Sequence, residues 1–307
     1  MTLRYGMQLP VQSQSKMYAE EWEASAGTAE LLRIAQACDG AGFLYVAVCD
    51  HVAIPRSFAP RMGTTWFDTM TTLGFLAGVT SNVRLMSHVS VLPFRHPMVT
   101  AKAVMTLDSL SGGRAVLGVG AGHVADEFAM LGVDFSQRGE LLDEAIDVVK
   151  AALEEEFPSA SGPRFPVQDM GQRPRPVQTP RPPVWVGGSA PPSLRRAAER
   201  GDGWLPQGTP RAQMPEQIEF IRQHREKAGL GDVPIELGAI AEFMYVGTPS
   251  WDVGSHCVSG STDTLAASLT EFAEMGVSHV QVRFRSRGAD ELIDQINAFG
   301  TEVGPLL

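Results

Sequence analysis

Short runs of β-branched and apolar residues alternate along the chain with longer segments in which apolar positions recur every three or four residues. That alternation is the sequence form of repeated βα units around a parallel sheet. About eight units are readable, the number that closes a barrel. Leu3 to Leu9 reads as the first strand and Thr28 to Gly40 as its helix, with Leu31, Leu32, Ile34, Ala35 and Cys38 on one face. Leu44 to Cys49 is a continuous apolar run, the mark of a strand covered on both sides, and it ends on Asp50-His51. Val83 to Leu92 pairs with a helix from Pro97 to Leu110, where proline suits the first turn and Gly112-Gly113 the end. Ala115 to Val119 runs into Gly120-Ala121-Gly122, and Arg138 to Glu156 follows as a long amphipathic helix. Phe157 to Pro183 holds eight prolines and breaks the rhythm, so it is expected to be an excursion or short hairpin laid over the barrel before the fifth strand. The remaining pairs are Val184 to Val186 with Ser193 to Arg200, Gly203 to Leu205 with Met214 to Ala228, Ile235 to Val246 with Thr262 to Met275, and Val277 to Phe284 with Ala289 to Phe299.

Composition narrows the class. The chain has 307 residues, 44% hydrophobic and 20% charged, which suits one α/β domain, a (β/α)8 TIM barrel spanning residues 1–307. No run of about 20 uncharged apolar residues exists, and the first ten residues carry Arg4 and Tyr5 in place of an apolar signal core, so neither a membrane span nor export is expected. Cys38, Cys49 and Cys257 form no CxxC pair, which argues against a disulfide framework and a thiolate zinc site and fits a reducing cytoplasm. The seven histidines show no HxH or HExxH spacing, so no metal site is expected. A formal charge of −10 disfavours nucleic acid as a partner, so any anionic ligand must meet local positive charge. Such charge lies at Arg84, Arg95 and Lys102, and at Arg173, Arg175, Arg181, Arg195 and Arg196.

In a parallel barrel the chemistry sits just beyond the strand C-termini. His51 there can exchange protons near neutral pH and Asp50 can fix its neighbours or a ligand amide; the competing reading is an Asp capping a turn beside a solvent-facing His. In His88 to Pro97, Ser90 or His88 is expected to face the barrel mouth, unless Pro93 and Pro97 merely make the strand exit irregular. Gly120-Ala121-Gly122 lacks the phosphate-loop patterns, and its glycines more simply let backbone approach a flat ligand. Gly187-Gly188-Ser189, between a strand and a helix, offers free N–H groups and a helix dipole to an anion, with Arg195 and Arg196 nearby; a structural turn that needs glycine is the alternative.

The order of these motifs resembles the luciferase-like flavin monooxygenases and their coenzyme F420-dependent relatives. Gly6 to Pro10, Asp50 to Pro55, Val91 to Pro97, Leu107 to Arg114, Gly118 to Gly122, Pro183 to Ser189 and Gly201 to Trp204 carry the resemblance, which covers essentially the whole chain. The segments around Ser111 to Arg114 and Gly201 to Trp204 look most like the F420-dependent branch. The resemblance implies a coenzyme ring at the C-terminal mouth of the barrel, with Asp50 and His51 as its catalytic contacts. It further implies a non-proline cis peptide at Val89-Ser90 behind the ring, Gly120, Ala121 and Gly122 beside the ring or tail, and Gly187, Gly188 and Ser189 on the phosphate. Arg173, Arg175 or Arg181 would meet the polyglutamate tail of F420. His123 stands where some relatives place an acid or amide and takes no assigned role. Substrate contacts are expected in the variable stretches Gln12 to Gly27, Pro55 to Thr65 and Phe157 to Pro183.

Three readings follow. The leading one is an F420-dependent oxidoreductase moving a hydride between the deazaflavin C5 carbon and a small, largely apolar substrate, with His51 exchanging the proton. The second is an FMN-dependent, oxygen-using monooxygenase fed by a separate reductase. The third is a protein that binds F420 or flavin without turnover. A homodimer is expected by analogy.

Overall fold

The computed structural model describes residues 2–16 and 18–307. Ten strands make the sheet: β1 (Arg4–Gln8), β2 (Tyr45–Val48), β3 (Arg84–Ser87), β4 (Ser90–Val91), β5 (Ala115–Gly120), β6 (Val184–Gly187), β7 (Gly203–Leu205), β8 (Glu236–Val246), β9 (Cys257–Gly260) and β10 (His279–Phe284). Eight of them close a parallel barrel in the order β1-β2-β3-β5-β6-β7-β8-β10, with β10 pairing both β8 and β1. The strand expected over Val83 to Leu92 is broken. β3 stops at Ser87, and pairing with β5 resumes only when Ser90 meets Val119. β9 was not foreseen and lengthens the sheet beyond β8, where Phe243 to Val246 pair with Cys257 to Gly260.

The helices follow the expected order: α1 (Thr28–Gly40), α2 (Ala59–Met62), α3 (Thr69–Ala77), α4 (Pro97–Ser111), α5 (Ala125–Met130), α6 (Arg138–Glu154), α7 (Pro191–Arg200), α8 (Met214–Lys227), α9 (Thr262–Glu274) and α10 (Ala289–Ala298). Local chemistry fixes their ends. Pro97 opens α4 without losing a helical bond, and Gly112 closes it at φ 67°, a conformation glycine takes without steric cost. Asp68 caps α3 by accepting the Thr71 N–H at 2.8 Å. The sequence pattern does not mark the second unit's helix, α3, whose buried positions Thr69, Thr72, Leu73, Leu76 and Ala77 mix polar and apolar residues.

Two layers of core result. Between strands and helices lie Ile34, Leu73, Leu85, Val104, Ile146 and Leu269. Inside the barrel, Tyr45, Met86, Val116, Trp185 and Leu205 pack together. Glycine makes that interior possible: a Cβ on Gly6 would lie 2.5 Å from the Tyr45 ring, and one on Gly203 2.5 Å from Trp185. Trp185 stacks on His279 at 4.3 Å between centroids. The large rings plug the barrel, so open space is pushed to the loops beyond the strand C-termini. Two residues of the Leu107 to Arg114 motif behind the resemblance serve this framework. Arg114 ties the α3–β3 turn through Ala77 O, Thr80 O and Val83 O, and buried Asp108 accepts the N–H groups of Ala115, Val177 and Gln178.

Among the described residues no helix is long and apolar enough to cross a membrane, and no cluster of His, Cys, Asp or Glu has the spacing of a metal site.

Candidate active site

A cleft of about 420 Å³ opens at the C-terminal mouth, bounded by residues that follow β1, β2, β3, β5, β6 and β7. It brings together most of the residues singled out in the sequence: Asp50, His51, Val89, Gly120, Ala121, Gly122, Gly187 and Gly188 all line it. Ser90 and Ser189 do not. Ser90 is buried at 2% exposure and turns its hydroxyl toward Asp50 at 3.4 Å. Ser189 lies at the rim, its hydroxyl near Gln207 O and accepting from Thr209. Of the two candidates at the β3 exit, His88 therefore faces the mouth and Ser90 does not. The cis peptide is His88-Val89, one residue earlier than expected, because the interruption in pairing with β5 falls there and not at Ser90.

His51 is held by a residue the sequence did not reveal. Its Nδ1 lies 2.8 Å from Oε2 of Glu127, in the first turn of α5. Glu127 is 1% exposed, and its Oε1 accepts the backbone N–H groups of Val52 at 2.7 Å and Ala53 at 3.2 Å. Burial pushes the Glu127 carboxyl up, but His51 and those two N–H donors outweigh it, and the group sits below its ordinary range. With Nδ1 committed, Nε2 is the ring nitrogen left for the cleft. Trp66 packs edge-on against His51 at 4.4 Å between centroids, and His123 at 5.5 Å. Burial, then the neighbouring His51, lowers the His123 pKa. His88 is 1% exposed, neither ring nitrogen has a partner among the described residues, and burial pushes its pKa down to about 4. It is a neutral imidazole at physiological pH.

Asp50 lines the cleft, and its carboxylate is also engaged within the protein. Its carboxylate is bound by Arg95 in a two-pronged pair, 2.6 Å to Oδ2 and 2.8 Å to Oδ1, and Oδ2 also accepts the Val91 N–H at 2.9 Å. These partners leave it little capacity for a ligand. Asp50 locks the end of β2 to the segment that follows the break in β3, and so fixes where His51 and Val89 point.

Val89 explains two glycines. A Cβ on Gly120 would lie 2.5 Å from Val89 Cγ2, and one on Gly187 2.5 Å from Val89 Cγ1. Both glycines line the cleft together with Val89, and at each the missing Cβ makes room for the Val89 side chain. Gly122 at φ 79° and Gly188 at φ 99° need glycine for backbone reasons. After Gly188, the N–H groups of Gly188, Ser189 and Ala190 have no acceptor among the described residues. Pro191 and Pro192 open α7 and have no N–H to offer, so the donors at this helix start belong to the preceding turn. Trp204 Nε1 holds the turn from below by donating to Gly188 O at 2.9 Å.

The basic residues are placed otherwise than expected. Arg196 is buried and paired with Asp143 at 2.5 Å, away from the Gly188 turn, while Arg195 is exposed. The excursion forms the anticipated short hairpin, with Ala160 and Val167 bridged antiparallel, but it lies along the outer face of α4 and α6. Arg173 pairs with Glu156, Arg175 donates to Ala152 O and Leu153 O at the end of α6, and Arg181 pairs with Glu154 and Asp202. The end of α6 is at the opposite pole of the barrel from the cleft. These arginines stabilise the fold, and no residue of the excursion lines the cleft. The other two variable stretches do line it, through Ser13, Ser15, Tyr18, Arg61 and Met62.

A closed parallel barrel with a cleft at its C-terminal mouth and a carboxylate-held histidine lining that cleft defines the class: an α/β-barrel enzyme. The sequence model of the luciferase-like monooxygenases matches residues 3–250, and the chain belongs to that family. It is 30% identical over 222 residues to an uncharacterised protein of Mycobacterium tuberculosis, covering 68% of this chain and 75% of the relative. It is 29% identical over 199 residues to a phthiodiolone/phenolphthiodiolone dimycocerosates ketoreductase of the same species, covering 64% and 52%. Among solved structures, a monooxygenase from Streptomyces bottropensis superposes with TM-score 0.80 at 21% identity over 99% of both chains. The coenzyme F420-dependent tetrahydromethanopterin reductase of Methanopyrus kandleri does so with TM-score 0.77 at 19% identity, again over 99% of both. The donor set of the cleft fits a flat coenzyme with an anionic tail: three unpartnered N–H groups stand at the Gly188 turn, and glycine and Val89 line the wall.

Proposed function

We propose that the protein is an F420-dependent oxidoreductase acting on a small carbonyl compound or its alcohol, with His51 as the proton donor and acceptor. The observation that carries this reading is His51, which lines the cleft, held from behind by buried Glu127. Interconverting a carbonyl and an alcohol moves a hydride at carbon and a proton at oxygen, and the chain must manage the proton.

A deazaflavin bound in the cleft supplies or accepts the hydride at its C5 carbon. His51 Nε2 gives a proton to the substrate oxygen, or takes it in reverse, while Nδ1 stays on Glu127. The Glu127 carboxylate stabilises the imidazolium and fixes the tautomer, the role a buried acid plays behind a catalytic histidine. Trp66 shields the ring from bulk water. Val89 and Gly120 to Gly122 back the coenzyme ring, and the N–H groups of Gly188, Ser189 and Ala190 receive the phosphate. The name of the mycobacterial ketoreductase relative supports the same oxidation level.

One observation favours the second reading, an FMN-dependent monooxygenase. Arg173, Arg175 and Arg181, the cations offered to a polyglutamate tail, are engaged in the protein's own contacts. The deciding experiment mixes the protein anaerobically with reduced F420 and a panel of ketones, aldehydes and enones, and in parallel with reduced FMN, oxygen and the same panel. Coenzyme oxidation that depends on both F420 and substrate supports the first reading. Product formed only with FMN and oxygen overturns it.

A further inference from the structure

Beside the cleft lies a second, smaller cavity of about 80 Å³. The two share Gln8, Ser13, Tyr18 and Gln207 as walls, so they are parts of one opening at the barrel mouth. The smaller one is lined about equally by apolar residues, Met7, Leu9, Ile240 and Phe284 among them, and polar ones that include Glu20 and Glu23, and its one cation is Arg283 of β10. The Arg283 guanidinium lies 4.9 Å from the Tyr18 ring centroid and 5.7 Å from that of Phe243. Among the described residues it makes no ion pair or hydrogen bond. Burial lowers its pKa, and no carboxylate opposes that effect.

The neighbouring acids have partners of their own. Glu20 pairs with Arg285 at 2.8 Å, and Glu23 accepts the N–H groups of Val11 and Glu20, each at 2.8 Å. The Arg283 guanidinium is half-buried against two aromatic rings with its donors unspent, whereas arginines 4, 95, 173, 181, 196, 211 and 287 have carboxylate partners. Desolvating a cation without a partner is costly, and such a group is retained where a ligand completes it.

We infer that Arg283 anchors a carboxylate on the substrate, and that this cavity selects small acids with a short apolar or aromatic body. The planar fork of a guanidinium matches a carboxylate in two parallel bonds. A single positive charge beside Glu20 and Glu23 suits a monoanion and opposes a dianionic phosphate. In the oxidoreductase reading the acid's carbonyl or alcohol group extends through the shared opening toward His51; anchoring itself does not depend on which coenzyme is used.

The test is calorimetric titration of the full chain, without coenzyme, with benzoate and hexanoate, then with benzamide, hexanamide and inorganic phosphate. The acids bind saturably and the amides about tenfold or more weakly. Arg283→Gln loses the acids by a similar factor, and Arg283→Lys, which keeps the charge without the fork, falls between. If Arg283→Gln fails to fold, the drop in Arg283→Lys and the acid–amide contrast in the wild type still decide. No acid binding, amides bound as well as acids, phosphate preferred to both, or unchanged affinity in either variant overturns the inference. A failed F420 titration beside intact benzoate binding overturns only the coenzyme reading.

Discussion

His51 and Glu127, 76 positions apart in the chain, meet with 2.8 Å between Nδ1 and Oε2 at the mouth of the barrel. Glu127→Gln keeps the shape and removes the charge behind the imidazole. Turnover falls on the order of 10²-fold while coenzyme affinity changes little, and the pH–rate profile moves with it. Stability moves as well. Because the Glu127 carboxyl sits below its ordinary 4.5 in the folded protein, its contribution is complete above that pH and is lost as pH falls through the folded value. The gap in melting temperature between wild type and variant therefore narrows on the acid side.

His51→Ala separates catalysis from binding. Coenzyme affinity stays within about threefold of wild type and turnover drops by about 10² to 10⁴. Steady-state kinetics beside a fluorescence titration checks this. Unchanged turnover would remove His51 from the chemistry, and the absence of turnover with any substrate class in the wild type would favour the non-catalytic binding protein.

Gly120→Ala places a methyl 2.5 Å from Val89 Cγ2 and displaces the cleft wall. Coenzyme affinity falls in this variant, and Val89→Ala added to it restores part of the loss by vacating the space. A double-mutant cycle on the dissociation constant reads a coupling of about 1 kcal/mol. Additive effects would mean that Gly120 meets the coenzyme directly.

Arg95→Ala strands the buried Asp50 carboxylate, whose side chain is 1% exposed. Breaking one side of such a pair costs about 3 kcal/mol or more, so denaturant unfolding shifts clearly to lower concentration. Asp50→Asn retains more stability than Arg95→Ala, because it removes the charge that needs a partner.

His279, fully buried against Trp185, has its pKa pushed down to about 3 from 6.5 by burial. The sign follows directly: the folded state resists protonation, so stability is complete above 6.5 and declines as pH falls toward 3. The slope contributed is up to about 1.4 kcal/mol per pH unit. His279→Phe flattens the acid limb of a melting-temperature profile; an unchanged slope would place the acid sensitivity elsewhere, His88 being the next group to replace.

The barrel was legible because covered parallel strands are written as continuous apolar runs and their helices as amphipathic repeats. The cleft was legible in outline because Asp50, His51, Gly120 and Gly187 all lie at or just past strand ends. Glu127 was not: a glutamate in the first turn of a short helix looks like an ordinary dipole-compensating surface acid, and only folding reveals that it is buried under His51. The same limit misplaced Arg173, Arg175 and Arg181, whose carboxylate and carbonyl partners are distributed over the end of α6, Glu156 just beyond it and the turn before β7. Glycines at 120 and 187 were noticed for the right positions, while their cause, the Val89 side chain, lies on another strand.

The most direct test of the coenzyme assignment is fluorescence titration of the purified apo-protein with F420 and, separately, with FMN. Saturable quenching with F420 is expected at concentrations where FMN binds weakly. Preferential binding of FMN would contradict it and identify an oxygen-using flavin enzyme supplied by a reductase.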